Sequence, residues 1–211
     1  MFELQGDVVL DRAVLDDAPV DSTAVGVRAA LLQPLAEVGD YDVMALRDGR
    51  IRVRVTVTVV PDAAAPQLTL DLAELEDQPS VAGRYVIREG GIVSFAVGHG
   101  IRRYAVLVQR ASAAGTRTVL DTREHLPAGA MFAVTLVSTG GHRAANLANQ
   151  TELRIAVDAP QQGEPYSPAR PTVVRAGDGG FEPAPVQMLV GQAIVLIADT
   201  PARFVVEPPA S

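Results

Sequence analysis

His99, His125 and His142 are the chain's only imidazoles. They stand in "VGHGI", "REHLPAG" and "TGGHRAA", all of which read as loops. Loops gathered at one end of a β-fold could bring three imidazoles to a zinc ion, but these spacings are long and match no local ligand motif, so no metal is assigned. Glu124-His125 beside Asp121 has the residue types of an acid–base pair. Neighbours along a strand point to opposite faces, so that pair would need a turn to cooperate. Ser94, His99 and Asp121 combine into a triad on paper, yet no nucleophile elbow surrounds Ser94. "DLAELEDQ" places Asp71, Glu74, Glu76 and Asp77 within seven residues. These are hard oxygen ligands, but the Asp/Asn alternation and central Gly of a calcium loop are missing, and a solvated acidic turn is expected. "REGG" and "AGDGG" do not sit between a strand and a helix, as a phosphate cradle would. The expectation is no catalytic residue, no metal and no cofactor.

The concentrated basic row is Arg50, Arg52 and Arg54, in "RDGRIRVRVTVTVV". Arg52 and Arg54 share one face of a strand, about 7 Å apart by strand rise. Such a row either guards an edge strand against mispairing or holds an acidic patch on another subunit. Pro165, Pro168 and Pro171 recur at every third residue, the turn of a polyproline II helix. They read as an extended linker, or as a docking peptide for a partner. These six residues are the candidate partner-binding positions.

Composition narrows the chemistry further. All 18 basic residues are Arg, and Cys is absent. No Schiff-base lysine, P-loop lysine, thiol nucleophile, disulfide or thiolate metal site can therefore form. The missing lysine and the Ala, Val, Gly and Pro excess fit a GC-rich bacterial genome. The net charge of −7 argues against nucleic acid and against an anionic membrane surface as partners. The first residues, "MFELQGDVVLDRAV", hold early acids and no apolar run of signal-peptide length, and no stretch reaches the ~20 apolar residues of a membrane span. A cytoplasmic location follows for the chain as written, or a place in an exported or virion-like assembly.

The elements that must position these residues are strands. Hydrophobic content is 48% with 4% aromatics, so the core is Val, Leu, Ile and Ala. Ile51, Val53, Val55, Val57 and Val59 alternate on one face, and Asp48-Gly49 is a two-residue hairpin signal. That register faces Leu46 with Ile51 and Met44 with Val53, and it turns Tyr41, Val43 and Ala45 to the arginine side. Residues 22–33 read as helix or strand. "QLTLDL", "RYVIREGGIVSFAVG" (two strands about Gly90-Gly91), "RRYAVLVQR", "RTVLD", "AMFAVTLVS" and "TELRIAVD" read as strands, with turns at Gly140-Gly141 and at residues 146–149. No stretch sustains a helical period. "TVVRAG", "VQMLVG", "AIVLIAD" and "RFVVEPP" continue the pattern. "AIVLIA" is apolar almost throughout, as in a strand covered on both faces.

Within this last section, "GGFEPAPVQMLVGQAIVLI" (179–197) resembles the opening strands of cupredoxin domains, where Phe-x-Pro precedes a strand, a Gly turn and a second strand. The resemblance covers under a tenth of the chain. It implies a sandwich reading of that section and no copper, since a blue-copper site requires a Cys ligand.

The fold expected is an all-β, antiparallel β-sandwich in two β-domains with a β-rich C-terminal extension. The boundaries are 1–76 for the N-terminal β-domain, 81–159 for the second β-sandwich domain, 160–171 for the Pro-rich linker and 172–211 for an extension packing on the body or on a partner. The function expected is a non-enzymatic structural or interaction protein, a subunit of a homo-oligomer or larger assembly of tail, shell or fibre type, its partners being itself or other protein subunits. The alternative is a monomeric β-sandwich binding module for a carbohydrate or other small ligand.

Overall fold

The computed structural model describes residues 18–78, 83–112, 115–160 and 170–209. Pro165 and Pro168 lie outside them; Pro171 is exposed just ahead of a strand. In chain order the strands are β1 (Val20–Asp21), β2 (Ala29–Leu35), β3 (Gly39–Arg47), β4 (Arg50–Val60) and β5 (Gln67–Asp71). A six-residue helix, α1 (Leu72–Asp77), follows, then β6 (Arg84–Arg88), β7 (Gly91–Ala96), β8 (Ala105–Ser112), β9 (Gly115–Asp121), β10 (Met131–Thr135), β11 (Gly140–Asn146) and β12 (Thr151–Asp158). The chain closes with β13 (Thr172–Gly177), β14 (Gly180–Glu182), β15 (Val186–Leu189), β16 (Ala193–Ala198) and β17 (Phe204–Glu207). The molecule is all-β but for α1, which the sequence reading missed. Asp71 starts that helix by accepting from the Ala73 and Glu74 amides, and Leu72, Ala73 and Leu75 are buried.

Three sheets result. One has seven strands in the order β14-β13-β16-β10-β2-β7-β5, and two have five, β1-β17-β11-β12-β15 and β6-β4-β3-β8-β9. The seven-stranded sheet takes strands from all three expected sections of the chain, and β1 pairs with β17, so the ladders run across the boundaries at 76–81 and 160–171. The sheets are mixed rather than purely antiparallel: β4 with β6, β5 with β7, β12 with β15 and β13 with β16 are parallel. Parallel neighbours require crossovers, and the chain supplies them by switching sheets between successive strands. The Gly90-Gly91 turn is one such switch and not a hairpin: β6 pairs with β4, while β7 pairs with β2 and β5. A Cβ on Gly91 would lie 2.7 Å from the Arg88 carbonyl and 2.9 Å from that of Pro66, so only glycine fits this corner.

Residues 22–33 resolve as a turn leading into β2. Pro34 is tolerated in that strand because β10 pairs with it only as far as Leu32, leaving Pro34 on a locally free edge. The Asp48-Gly49 hairpin forms as expected, with φ of 55° and 72°. Leu46 faces Ile51 as expected, with Ile51 exposed rather than on the valine face, and beyond that pair the register departs from expectation by one residue. A bulge between Ala45 and Leu46 pairs Ala45 with Val53 and Met44 with Arg54, so Tyr41, Val43 and Ala45 join the valine face and Met44 and Leu46 leave it. One inserted residue flips every side chain beyond it. β11 was read as turns on either side of His142, yet it sits inside its sheet between β17 and β12. "GGHRAAN" carries no alternation of large apolar residues, so nothing local announced it.

A row of side chains crosses the seven-stranded sheet: Leu70 pairs with Phe95, Phe95 with Leu31, Leu31 with Phe132, Phe132 with Leu196 and Leu196 with Val174. All six are buried, and they belong to one hydrophobic cluster with the inner residues of both five-stranded sheets. The C-terminal section is thus part of the body's core. Polar ties hold the layers: the buried Thr122 hydroxyl accepts from the Val106 amide and donates to the Thr23 carbonyl, both at 2.9 Å.

Asp21 links the first strand to the last. Its carboxylate accepts from Arg203 Nη2 at 2.9 Å and from the Thr23 amide at 2.8 Å. Burial alone would raise its pKa, but the Arg203 and Thr23 hydrogen bonds outweigh burial and hold it below the ordinary aspartate range. The folded carboxyl therefore binds its proton less readily than the unfolded one, and the contribution to stability is present above an ordinary pKa of about 3.9. It is lost as pH falls through the depressed folded value. Asp21→Asn should lower the urea midpoint at neutral pH, and the gap to the wild type should close as the pH drops below that window.

Candidate functional site

The arginine row is largely consumed inside the chain. Arg54 makes a forked pair with Asp42, Nη2 to Oδ2 at 2.6 Å and Nε to Oδ1 at 3.0 Å. Two residues along, Thr58 donates to Asp40 at 2.7 Å, and Arg84 on β6 bonds both. Arg52, displaced by the bulge, sits 3.9 Å from Glu76 on α1. Arg50 is exposed at the hairpin tip. The three arginines therefore do not form one continuous surface. Arg54 belongs to a cross-strand ion-pair ladder, Arg52 turns toward α1, and Arg50 faces solvent.

The acidic run is no free calcium turn either. Glu76 accepts from Arg47 at 2.6 Å and from the fully buried Tyr104 hydroxyl at 2.5 Å, with Arg102 at 3.7 Å. Burial, and then the Glu76 carboxylate, push the Tyr104 hydroxyl above its ordinary pKa. Asp77 takes Arg102 at 2.6 Å and His99 at 3.2 Å. The hydrogen bond from Arg102, followed by that from His99, holds the Asp77 carboxyl below the usual range. The hub ties the β3–β4 hairpin, α1 and the loop before β8 into one corner.

The histidines stay apart, and among the described residues no three His, Asp or Glu side chains form a metal-ligating group. His125 follows a turn that brings its amide to the Asp121 carbonyl, but the Asp121 carboxylate is taken by Arg123 at 2.5 Å. His142, expected in a loop, is buried in β11. Its Nε2 lies 2.9 Å from the Ser138 carbonyl and 3.4 Å from the Ser138 hydroxyl. The carbonyl accepts only, so Nε2 carries the proton and is no base toward Ser138. Ser94, His99 and Asp121 do not act together, since His99 is bonded to Asp77 and Asp121 to Arg123.

A small cleft of about 60 Å³ lies between the turn before β2 and the loop before β8. Asp21, Arg28, Arg102 and Arg103 line it, with Gly26 and Gly100. Arg28 Nη2 is committed to the Ala18 carbonyl at 2.5 Å and Arg102 to Asp77. Ile101, 84% exposed, stands at its rim.

A further feature is the second face of the seven-stranded sheet. "AIVLIA" does not prove buried on both sides: Ile194, Leu196 and Ala198 are buried, whereas Ala193, Val195 and Ile197 are half-exposed. The same alternation holds across the sheet. One outer row runs Ser94, Leu32, Met131, Ile197; the next runs Ala96, Ala30, Ala133, Val195, Val173. All of these but Ser94 and the exposed Val173 are half-exposed. Charge appears only toward the ends, as Asp71 on β5, as the exposed Glu182 on β14 and as Arg175 on β13, which is held by Asp199 with Nε at 3.0 Å from Oδ2. The five-stranded sheets differ, showing ion pairs on their outer faces: Arg54–Asp42 and Arg84–Asp40 on one, Arg143 with Glu152 and Glu207 on the other. No motif points to this face. The available signal was the unbroken apolar run of β16 beside small-residue strands.

Among the described residues no helix is long and apolar enough to cross a membrane. Comparison of the chain with protein families, with curated proteins and with solved structures finds no match.

Proposed function

We propose that this is a non-enzymatic structural or interaction protein, a subunit of a homo-oligomer or larger assembly, whose sheets face one another as the layers of a β-sandwich. The observation that carries this reading is the outer face of the seven-stranded sheet. A sheet face that meets only water normally alternates to polar residues, as both five-stranded sheets do. A contiguous apolar face ringed by charge is the mark of an interaction surface. Association through it would bury the Leu32, Met131, Ile197 and Val195 side chains. The Arg52 and Arg54 side chains contribute little to such a contact, because each faces an acidic group of its own chain.

Light scattering on the full chain tests the reading. The expected result is a particle heavier than the 22.2 kDa protomer, growing with concentration. A constant protomer mass up to the solubility limit counts against it. The full chain is required, because residues 172–207 supply β13 to β17 and with them three of the large sheet's seven strands. A second reading, a binding module for a carbohydrate or other small ligand, draws on the small cleft lined by Asp21, Arg28, Arg102 and Arg103.

A further inference from the structure

We propose that the occupant of this apolar face is a second copy of the same chain, packed sheet on sheet about a two-fold axis. The proposal rests on the assembly reading above and names its partner and geometry.

Size is the first support. Seven strands spaced about 4.8 Å apart span roughly 30 Å, and strands of this length run about 18 Å, a footprint on the order of 500 Å² before side-chain relief is counted. Standard interfaces bury about 800 Å² per partner, so a contact of this footprint belongs to the weaker, concentration-dependent class. Charge is the second. Each protomer carries −7, yet β7, β2, β10 and β16 present no ionised side chain on this face, and Asp71, Arg175 and Glu182 stand only at its two ends. Two copies can therefore meet over the middle of the sheet without burying a charge.

Shape is the third. The bulky row, Leu32, Met131 and Ile197, lies one pleat from the small row, Ala30, Ala133 and Val195. Both rows run perpendicular to the strands. A two-fold axis lying between them, parallel to both and in the plane of the interface, exchanges the rows. It lays the bulky ridge of one protomer on the shallow groove of its partner, and the same contact repeats in the other direction, as an isologous interface requires. Stacked sheets then sit about 10 Å apart, the usual face-to-face spacing.

The salt response separates this contact from an arginine-mediated one. Screening the repulsion of two acidic bodies strengthens an apolar contact, whereas screening weakens one built on Arg–carboxylate pairs.

The experiment combines mass with cross-linking on the full chain. Wild-type protein is expected to be a dimer whose dissociation constant falls as NaCl rises. Leu32→Glu should raise that constant at least about tenfold, the effect of removing ~1.4 kcal/mol from the contact, while leaving the circular dichroism spectrum unchanged. Should that variant fail to fold, Ala133→Cys gives an independent readout, since the chain has no other cysteine. A bis-maleimide with a reach of about 10 Å should join two copies of Ala133→Cys and leave Thr56→Cys, on β4 of a different sheet, as single chains. Wild-type protein that remains a monomer overturns both this proposal and the homo-oligomer reading. A multimer that survives Leu32→Glu, with no cross-link at residue 133, overturns the two-fold contact alone and leaves the assembly reading standing.

Discussion

Replacing Phe132 by alanine will lower the unfolding free energy by about 3–5 kcal/mol, measured by urea denaturation, because it empties the middle of the core row. Phe132 is fully buried on β10, the central strand of the seven, and its cross-strand neighbours are Leu31 and Leu196. Strands from three distant parts of the chain meet at that side chain. No local rearrangement can close the space without shifting β2 or β16, which are fixed by their own ladders. Met131, the next residue, faces the other way and is half-exposed. Met131→Ala should cost distinctly less in the monomer and act instead on association. Equal losses at the two positions would mean that the outer face is as closed as the core.

Glu76→Ala is expected to cost about 2–3 kcal/mol, more than an ordinary surface charge. The Glu76 carboxylate is the acceptor for the buried Tyr104 hydroxyl, and it is the counter-charge for Arg47 with Arg52 and Arg102 nearby. Removing it leaves a desolvated hydroxyl without its acceptor and three guanidinium groups drawn together. The arginines keep roughly a third of their side-chain surface in water, which moderates the loss below that of a fully buried pair. Tyr104→Phe removes one donor and leaves the carboxylate paired with Arg47, so it should cost about 1 kcal/mol. The double mutant should lose less than the sum of the two, and that shortfall measures their coupling. Simple additivity would show that Tyr104 and Glu76 do not share a bond in solution. Within the acidic run the Glu76 and Asp77 carboxylates are committed to arginines from β3, β4 and the loop before β8, and Asp71 caps α1.

Much of the fold is legible in the chain because it depends on neighbours one or two residues away. Period-two alternation gives β4, β5 and β12, and short apolar runs bounded by turn residues give β13, β16 and β17, since both signals lie within a few residues of one another. Asp48-Gly49 gives a tight hairpin, since its positive φ values are a local matter. Composition alone removes lysine and cysteine chemistry. Three things depended on residues far apart. The bulge at Ala45 and Leu46 reversed the faces of β3, because register is set by the partner strand and not by β3 itself. β11 became a strand because β12 and β17 offered it two ladders, which outweighed the weak preference of Gly, His and Ala for extended structure. The candidate site was least legible of all. Leu32 and Ile197 lie 165 residues apart with Met131 between them, and each looks in isolation like an ordinary core residue. Only the order β16-β10-β2 sets them side by side, and only the placement of both five-stranded sheets' core on the opposite face leaves them half open. Alternation determines that a strand has two faces; which face is covered is decided by what the rest of the chain packs against it.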